Sequence, residues 1–159
     1  MGSQLLEIAG RFLIYSILLS LVNFLSAAHA INPDSDYKDA AQTFSQRDMV
    51  STQKAISMLE KVLEQKPDHL DSQALIAYAY AHEAFILSQL GESGSDYQNS
   101  AEAFIKAVQA QQPQNMSAKK ASVFLLMMSG KTADARKILE KDLTDKEAHN
   151  LLFTSKKLR

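Results

Sequence analysis

The sequence predicts an all-α protein, built of antiparallel helices joined by turns. Three observations lead there. Five Gly and three Pro in 159 residues are too few for a loop-rich β fold. Apolar residues recur three and four apart, as in Ala55, Leu59 and Val62, which places them on one helix face. Turn signals separate such stretches, at Pro67-Asp68, at Gly91-Glu92-Ser93-Gly94-Ser95, at Pro113 and at Gly130.

The first thirty residues read as a targeting segment. Residues 12–25 are a continuous apolar run, broken only by Ser16, Ser20 and Asn23. Ala28-His29-Ala30 has the small-x-small form of a signal-peptidase site. A membrane-spanning helix takes about 20 apolar residues. The run reaches that length only by extending back to Leu5, across Arg11 and Glu7. Residues 1–30 are therefore expected to be a signal peptide or a retained membrane anchor. Cleavage makes the chain periplasmic or otherwise exported. Retention makes it inner-membrane anchored, with residues 31–159 as a periplasmic helical domain.

That domain opens on Asn32-Pro33-Asp34-Ser35, a linker and turn signal. A first helix starts at Asp34 or Ser35 and runs to about Gln46. A poorly marked break near 47–51 precedes a second helix, which ends at Gln65 or Lys66. Pro67 cannot continue it, and Asp68 is the expected N-cap of the third. The third helix, 71–90, is long and rich in helix-favouring residues. Ser95 or Asp96 is the expected cap of a fourth, which ends before Pro113. A further pair carries Val123, Leu126, Ala135 and Leu139, with Gly130 closing one helix and Thr132 capping the next. Thr144-x2-Glu147 is a capping box for a last helix, with Ala148, Leu151, Leu152 and Ser155 on one face. Lys156, Lys157 and Arg159 suit the dipole at its C-terminus, as in a solvating cap helix.

Two segments carry a family resemblance. Ala55-x3-Leu59 followed by Pro67, then Gln73-x2-Ile76-Ala77-x2-Tyr80, resembles the tetratricopeptide (TPR) pattern, which repeats about every 34 residues. The resemblance covers roughly 36–143. Pro67 and Pro113 lie 46 positions apart, and the surplus is expected to lengthen both helices of the middle pair and their loop. The long middle hairpin is also similar to the periplasmic T component of TRAP transporters. A TPR-like chain implies a short solenoid of stacked antiparallel helix pairs, with a concave face made by the first helix of each pair. Carried over through the family's register, that face falls on Tyr37, Phe44, Arg47, Tyr78, His82, Lys120, Phe124 and Met127. Phe44, Tyr78 and Phe124 would line a groove, and Met127 with Met128 would add an adaptable wall. Arg47, His82 and Lys120 would be polar handles. The same aromatics read equally well as buried core, and the Met127-Met128 pair reads better as core than as a binding wall, whereas His82 is expected on the surface or in the groove.

The implied function is a non-catalytic adaptor that holds a partner protein's segment, as a subunit or assembly factor of a bacterial envelope complex. The alternative is a transport accessory that binds a small hydrophobic ligand in the middle hairpin. Other classes find no support in the residues. Lys and Arg number 17 against 18 Asp and Glu, so no basic excess points to nucleic acid. The chain has no Cys, which removes disulfides, a thiol nucleophile and cysteine-zinc sites. His82-Glu83 lacks the second His of a zinc helix, because Ile86 stands there. Gly91-Glu92-Ser93-Gly94 lacks the Lys-Ser/Thr of a phosphate loop. No nucleophile–base pair stands out, so no catalytic residue, metal or cofactor is expected. Asn115-Met116-Ser117 matches a glycosylation sequon, and an inter-helix turn explains it equally well.

Overall fold

Two kinds of turn, used alternately, organise the chain. The computed structural model describes residues 32–142, which form six α-helices. They are α1 Pro33–Phe44, α2 Met49–Gln65, α3 Leu70–Gln89, α4 Ser95–Gln111, α5 Met116–Met128 and α6 Thr132–Asp142. The expected targeting segment at 1–30 and the expected cap helix from Thr144 lie outside the described residues.

The first kind of turn joins α1 to α2, α3 to α4, and α5 to α6. Each contains one residue in the left-handed region: Arg47 at φ 60°, Gly91 at 77° and Gly130 at 73°. After α3, the Gly91 N–H donates to the Ser88 carbonyl at 3.2 Å, and the Glu92 N–H to Leu87 at 2.9 Å. After α5, Gly130 donates to Met127 at 3.2 Å and Lys131 to Leu126 at 2.8 Å. These bonds occupy carbonyls that a helix end otherwise leaves without partners. Glycine adopts this conformation without a Cβ clash; Arg47 does not have that freedom.

The second kind joins α2 to α3 and α4 to α5, and its two copies match closely. Lys66 sits at φ −132°, ψ 79°, and Gln112 at φ −132°, ψ 81°. Both donate their N–H back along the helix, to Val62 at 2.8 Å and Val108 at 2.7 Å. Proline follows each and blocks further helix. Then His69 donates to the Lys66 carbonyl and Asn115 to the Gln112 carbonyl, both at 3.0 Å. All bounds of α2 return in α4 46 positions later, from Met49–Gln65 to Ser95–Gln111. The buried set Ala55, Leu59 and Val62 returns as Ala101, Ile105 and Val108. The surplus over a period of about 34 residues therefore does not lengthen α4. It lies in α3, with 20 residues against 13 in α5, and in the loop that follows.

The caps differ from the expected ones in three places. His69, not Asp68, caps α3: its Nδ1 accepts from the Ser72 N–H at 3.2 Å. Nδ1 is thus unprotonated, and Nε2–H donates to Asp34 Oδ1 at 3.1 Å. Gly94, rather than Ser95 or Asp96, holds the cap position of α4 and makes no side-chain cap bond. A Cβ there would lie 2.8 Å from the Ala84 Cα, so α3 packs too closely for any other residue. Thr132 is the first residue of α6 rather than its cap, since the Ala135 N–H bonds the Lys131 carbonyl. Elsewhere the caps are ordinary. Asp48 accepts from the Ser51 N–H at 2.8 Å, and Asn115 from the Ala118 N–H at 3.1 Å.

α3 is the centre of the fold and packs on α1, α2, α4 and α5. Every residue from Ala74 to Ile86 is buried, as expected of a helix apolar on all sides. Ala77, Ala79, Ala81 and Ala84 are fully covered and let neighbouring helices come close. Around them Leu59, Val62 and Ile76 each contribute about 1.5–3 kcal/mol by burial. Short connections make sequence neighbours antiparallel. Among the described residues, no helix is long and apolar enough to cross a membrane.

Candidate partner-binding site

Five of the eight expected site residues meet at one junction. Phe44 ends α1, and Arg47 follows in the first turn. Tyr78 and His82 lie one turn apart on α3, and Phe124 comes from α5. The Phe44 ring meets Tyr78 edge-on at 5.0 Å, and Tyr78 stacks on Phe124 at 5.9 Å. His82 stands between Phe44 at 5.7 Å and Phe124 at 5.5 Å, edge-on to both. Ring pairs of this kind add about 0.5–1.5 kcal/mol beyond their buried area. The Arg47 guanidinium closes the cluster, 4.2 Å from the centre of the Phe44 ring and 4.4 Å from that of Tyr78. Those ring faces attract a cation.

The cluster is filled by its own side chains. Phe44, Tyr78 and Phe124 are all buried, and His82 has no exposed surface at all. His82 is therefore not a surface or open-groove residue. Its Nδ1 lies 3.3 Å from Thr52 Oγ1 on α2. Its Nε2 is buried with no hydrogen-bond partner. Burial, reinforced by the Arg47 charge, pushes its pKa down to about 4. The ring is neutral at pH 7.

Next along α3, Glu83 is equally covered and faces α2 instead. Gln53 Nε2 donates to its Oε1 at 2.9 Å, while Oε2 has no partner. Burial raises its pKa, and the Gln53 bond opposes that. Tyr80, also facing away from the cluster, donates its hydroxyl to Glu60 Oε1 at 2.7 Å. Burial first, then that bond, raises its pKa.

The other three expected residues lie around this junction, not in it. Tyr37 is half-buried on α1 with its ring 5.7 Å from His69. Burial, then the Asp71 charge, raises its pKa. Lys120 is half-buried on α5, beside Lys119, whose Nζ pairs with Asp142 at 2.9 Å. Met127 and Met128 are half-buried and pack against the core. Of the eight, only Tyr37, Arg47, Lys120 and Met127 keep some exposed surface; the other four are buried.

Three contributors were not expected from the sequence. Phe85 lies 5.0 Å from Phe124, on the two-turn extension of α3. Thr52 and Gln53 supply the polar contacts to His82 and Glu83. Among the described residues, no group of three or more His, Cys, Asp or Glu is placed to hold a metal. Compared with protein-family models, curated proteins and solved structures, the chain matches none.

Proposed function

We propose that this chain is a non-catalytic scaffold of the bacterial envelope. It is a short TPR-like stack of helix pairs, and it holds a partner protein's segment on the face built by α1, α3 and α5. The observation that carries this reading is the alternation of turns. Among the described residues, one left-handed residue follows the first helix of each of three pairs, and one matched turn with proline joins pair to pair. Such repetition supports a stacked repeat whose first helices share one face. The expected leader at 1–30 supports an envelope location.

On that face the partner contacts Tyr37, Arg47, Lys120 and Met127. Phe44, Tyr78, His82 and Phe124 hold the floor rigid. Quantitative co-purification from envelope membranes tests this. Tyr37→Ala with Lys120→Glu should remove one or a few partners that the natural chain retains, while the circular dichroism stays unchanged. Equal recovery by both proteins, or no specific partner for either, sinks the reading. The length of α3 also supports the transport-accessory alternative. Native mass spectrometry showing one bound apolar molecule per chain would favour it.

A further inference from the structure

A second surface stands apart from that face. A groove of about 660 Å³ runs between α4 and α5. Ile105, Leu125 and Leu126 form its floor, and Glu102, Lys106 and Lys131 lie along its rim. Its α4 wall runs from Gln98 to Ala110, about 18 Å at the helical rise.

The internal repeat shows what this groove lacks. Leu126 and Lys106 stand 46 positions after Tyr80 and Glu60, and Ser122 and Leu125 after Ile76 and Ala79. In the earlier copy the corresponding face is closed. Ile76 and Ala79 are buried, and Tyr80 lies 5.9 Å from Tyr97 and 6.2 Å from Phe104 on α4. The helix that follows α5 in the same way is α6. Its Ala135 and Leu139 stand 34 positions after Ala101 and Ile105. At that offset Tyr97 becomes Lys131, and Phe104 becomes Ile138. The start of α4 maps to Ser129, yet α6 begins only at Thr132. The turn that carries the first aromatic lid has no helical counterpart, and the second aromatic is replaced by an aliphatic residue. Leu125 and Leu126 pack on the core yet stay partly exposed.

We propose that this groove is a docking site for an amphipathic helix of a partner protein. That helix presents two aromatic side chains seven residues apart, as Tyr97 and Phe104 are on α4. It replaces the missing lid, with anchors two helical turns apart on an apolar floor. It also carries an acidic residue near the first aromatic. Lys106 and Lys131 are exposed and make no ion pair among the described residues, while the Glu102 carboxylate accepts from Gln98 Nε2 at 3.0 Å. The proposal does not depend on the face of α1, α3 and α5.

The probe is a labelled synthetic peptide of residues 95–111, which holds Tyr97, Phe104 and Asp96 in the required pattern. Fluorescence anisotropy with the full chain should show saturable binding. Tyr97→Ala with Phe104→Ala in the peptide should weaken it at least about tenfold, as expected for aromatic anchors. In the protein, Leu126→Asp should abolish binding. Lys106→Glu with Lys131→Glu, both exposed, should weaken it severalfold and remove its salt dependence without disturbing the fold. No binding overturns the proposal. So does binding indifferent to Lys131→Glu, because the peptide then displaces α4 from the first copy. Sedimentation showing that Lys131→Glu breaks up a dimer also overturns it, by making the groove an interface between two copies of this chain.

Discussion

Arg47 carries two opposed effects in one residue. Its left-handed backbone costs a non-glycine residue about 1–2 kcal/mol. Its guanidinium, set over Phe44 and Tyr78, returns about 0.5–2 kcal/mol. Arg47→Ala keeps the strain and loses the stacking, so it should destabilise by about 1 kcal/mol or more. Arg47→Gly loses both and should lie within about 0.5 kcal/mol of the natural chain. Urea denaturation of the two variants checks the order; Gly no more stable than Ala would show that the backbone is unstrained. His82 makes a second prediction. Its folded pKa of about 4 lies below the ordinary value of 6.5, so between them the unfolded chain binds more protons. Its contribution is complete above pH 6.5 and is lost as pH falls towards 4, with no further loss below. The gap corresponds to about 3 kcal/mol. Glu83 has the opposite sign. Its raised pKa gives a contribution present at acid pH and lost as pH rises through the folded value. Glu83→Gln should therefore steepen the rise in stability between pH 4 and 6.5. His82→Gln, which cannot titrate, should flatten it. Melting temperatures across that window decide, and an unchanged slope in His82→Gln would contradict the assignment.

At the scale of elements, close packing sets the ends of the central helix. Gly94 is needed for space rather than for its backbone angle, since a Cβ would strike the Ala84 backbone. Gly94→Ala should destabilise by about 1–3 kcal/mol, as overpacking does. Gly130→Ala has open space and should lose only the left-handed preference, about 1 kcal/mol. Thermal melts that rank the two the other way would refute the packing argument. Much at this scale was legible in the residues. Pro67, Pro113, Gly91 and Gly130 placed most turns because their backbone rules are local. Asp68 misled because the His69 ring caps the helix instead, and nothing in a one-dimensional pattern favours an imidazole. The Pro67–Pro113 spacing was visible, but where its surplus falls was not. Matching Ala55, Leu59 and Val62 to Ala101, Ile105 and Val108 places α2 and α4 in register and leaves the excess to α3 and its loop.

For the whole molecule, Phe44, Arg47, Tyr78, His82 and Phe124 lie together because α3 packs against both α1 and α5. The sequence pattern could not separate the buried residues from those that keep exposed surface. That distinction depends on Arg47 folding back over the rings, and on Phe85 reaching Phe124 from the extended end of α3. The α4–α5 groove was illegible for a similar reason, since it exists only where a covering turn is missing. Function follows from which surfaces remain open, and the central claim concerns the face of α1, α3 and α5. The most direct measurement is photocross-linking in the native envelope, with p-benzoylphenylalanine placed singly at Tyr37, Lys120 or Met127, and at the outward-facing Lys61 as control. Discrete adducts of one shared mass from the first three positions, and none from Lys61, are expected. Adducts from Lys61 alone, or no adduct at Tyr37, Lys120 and Met127, would contradict the account.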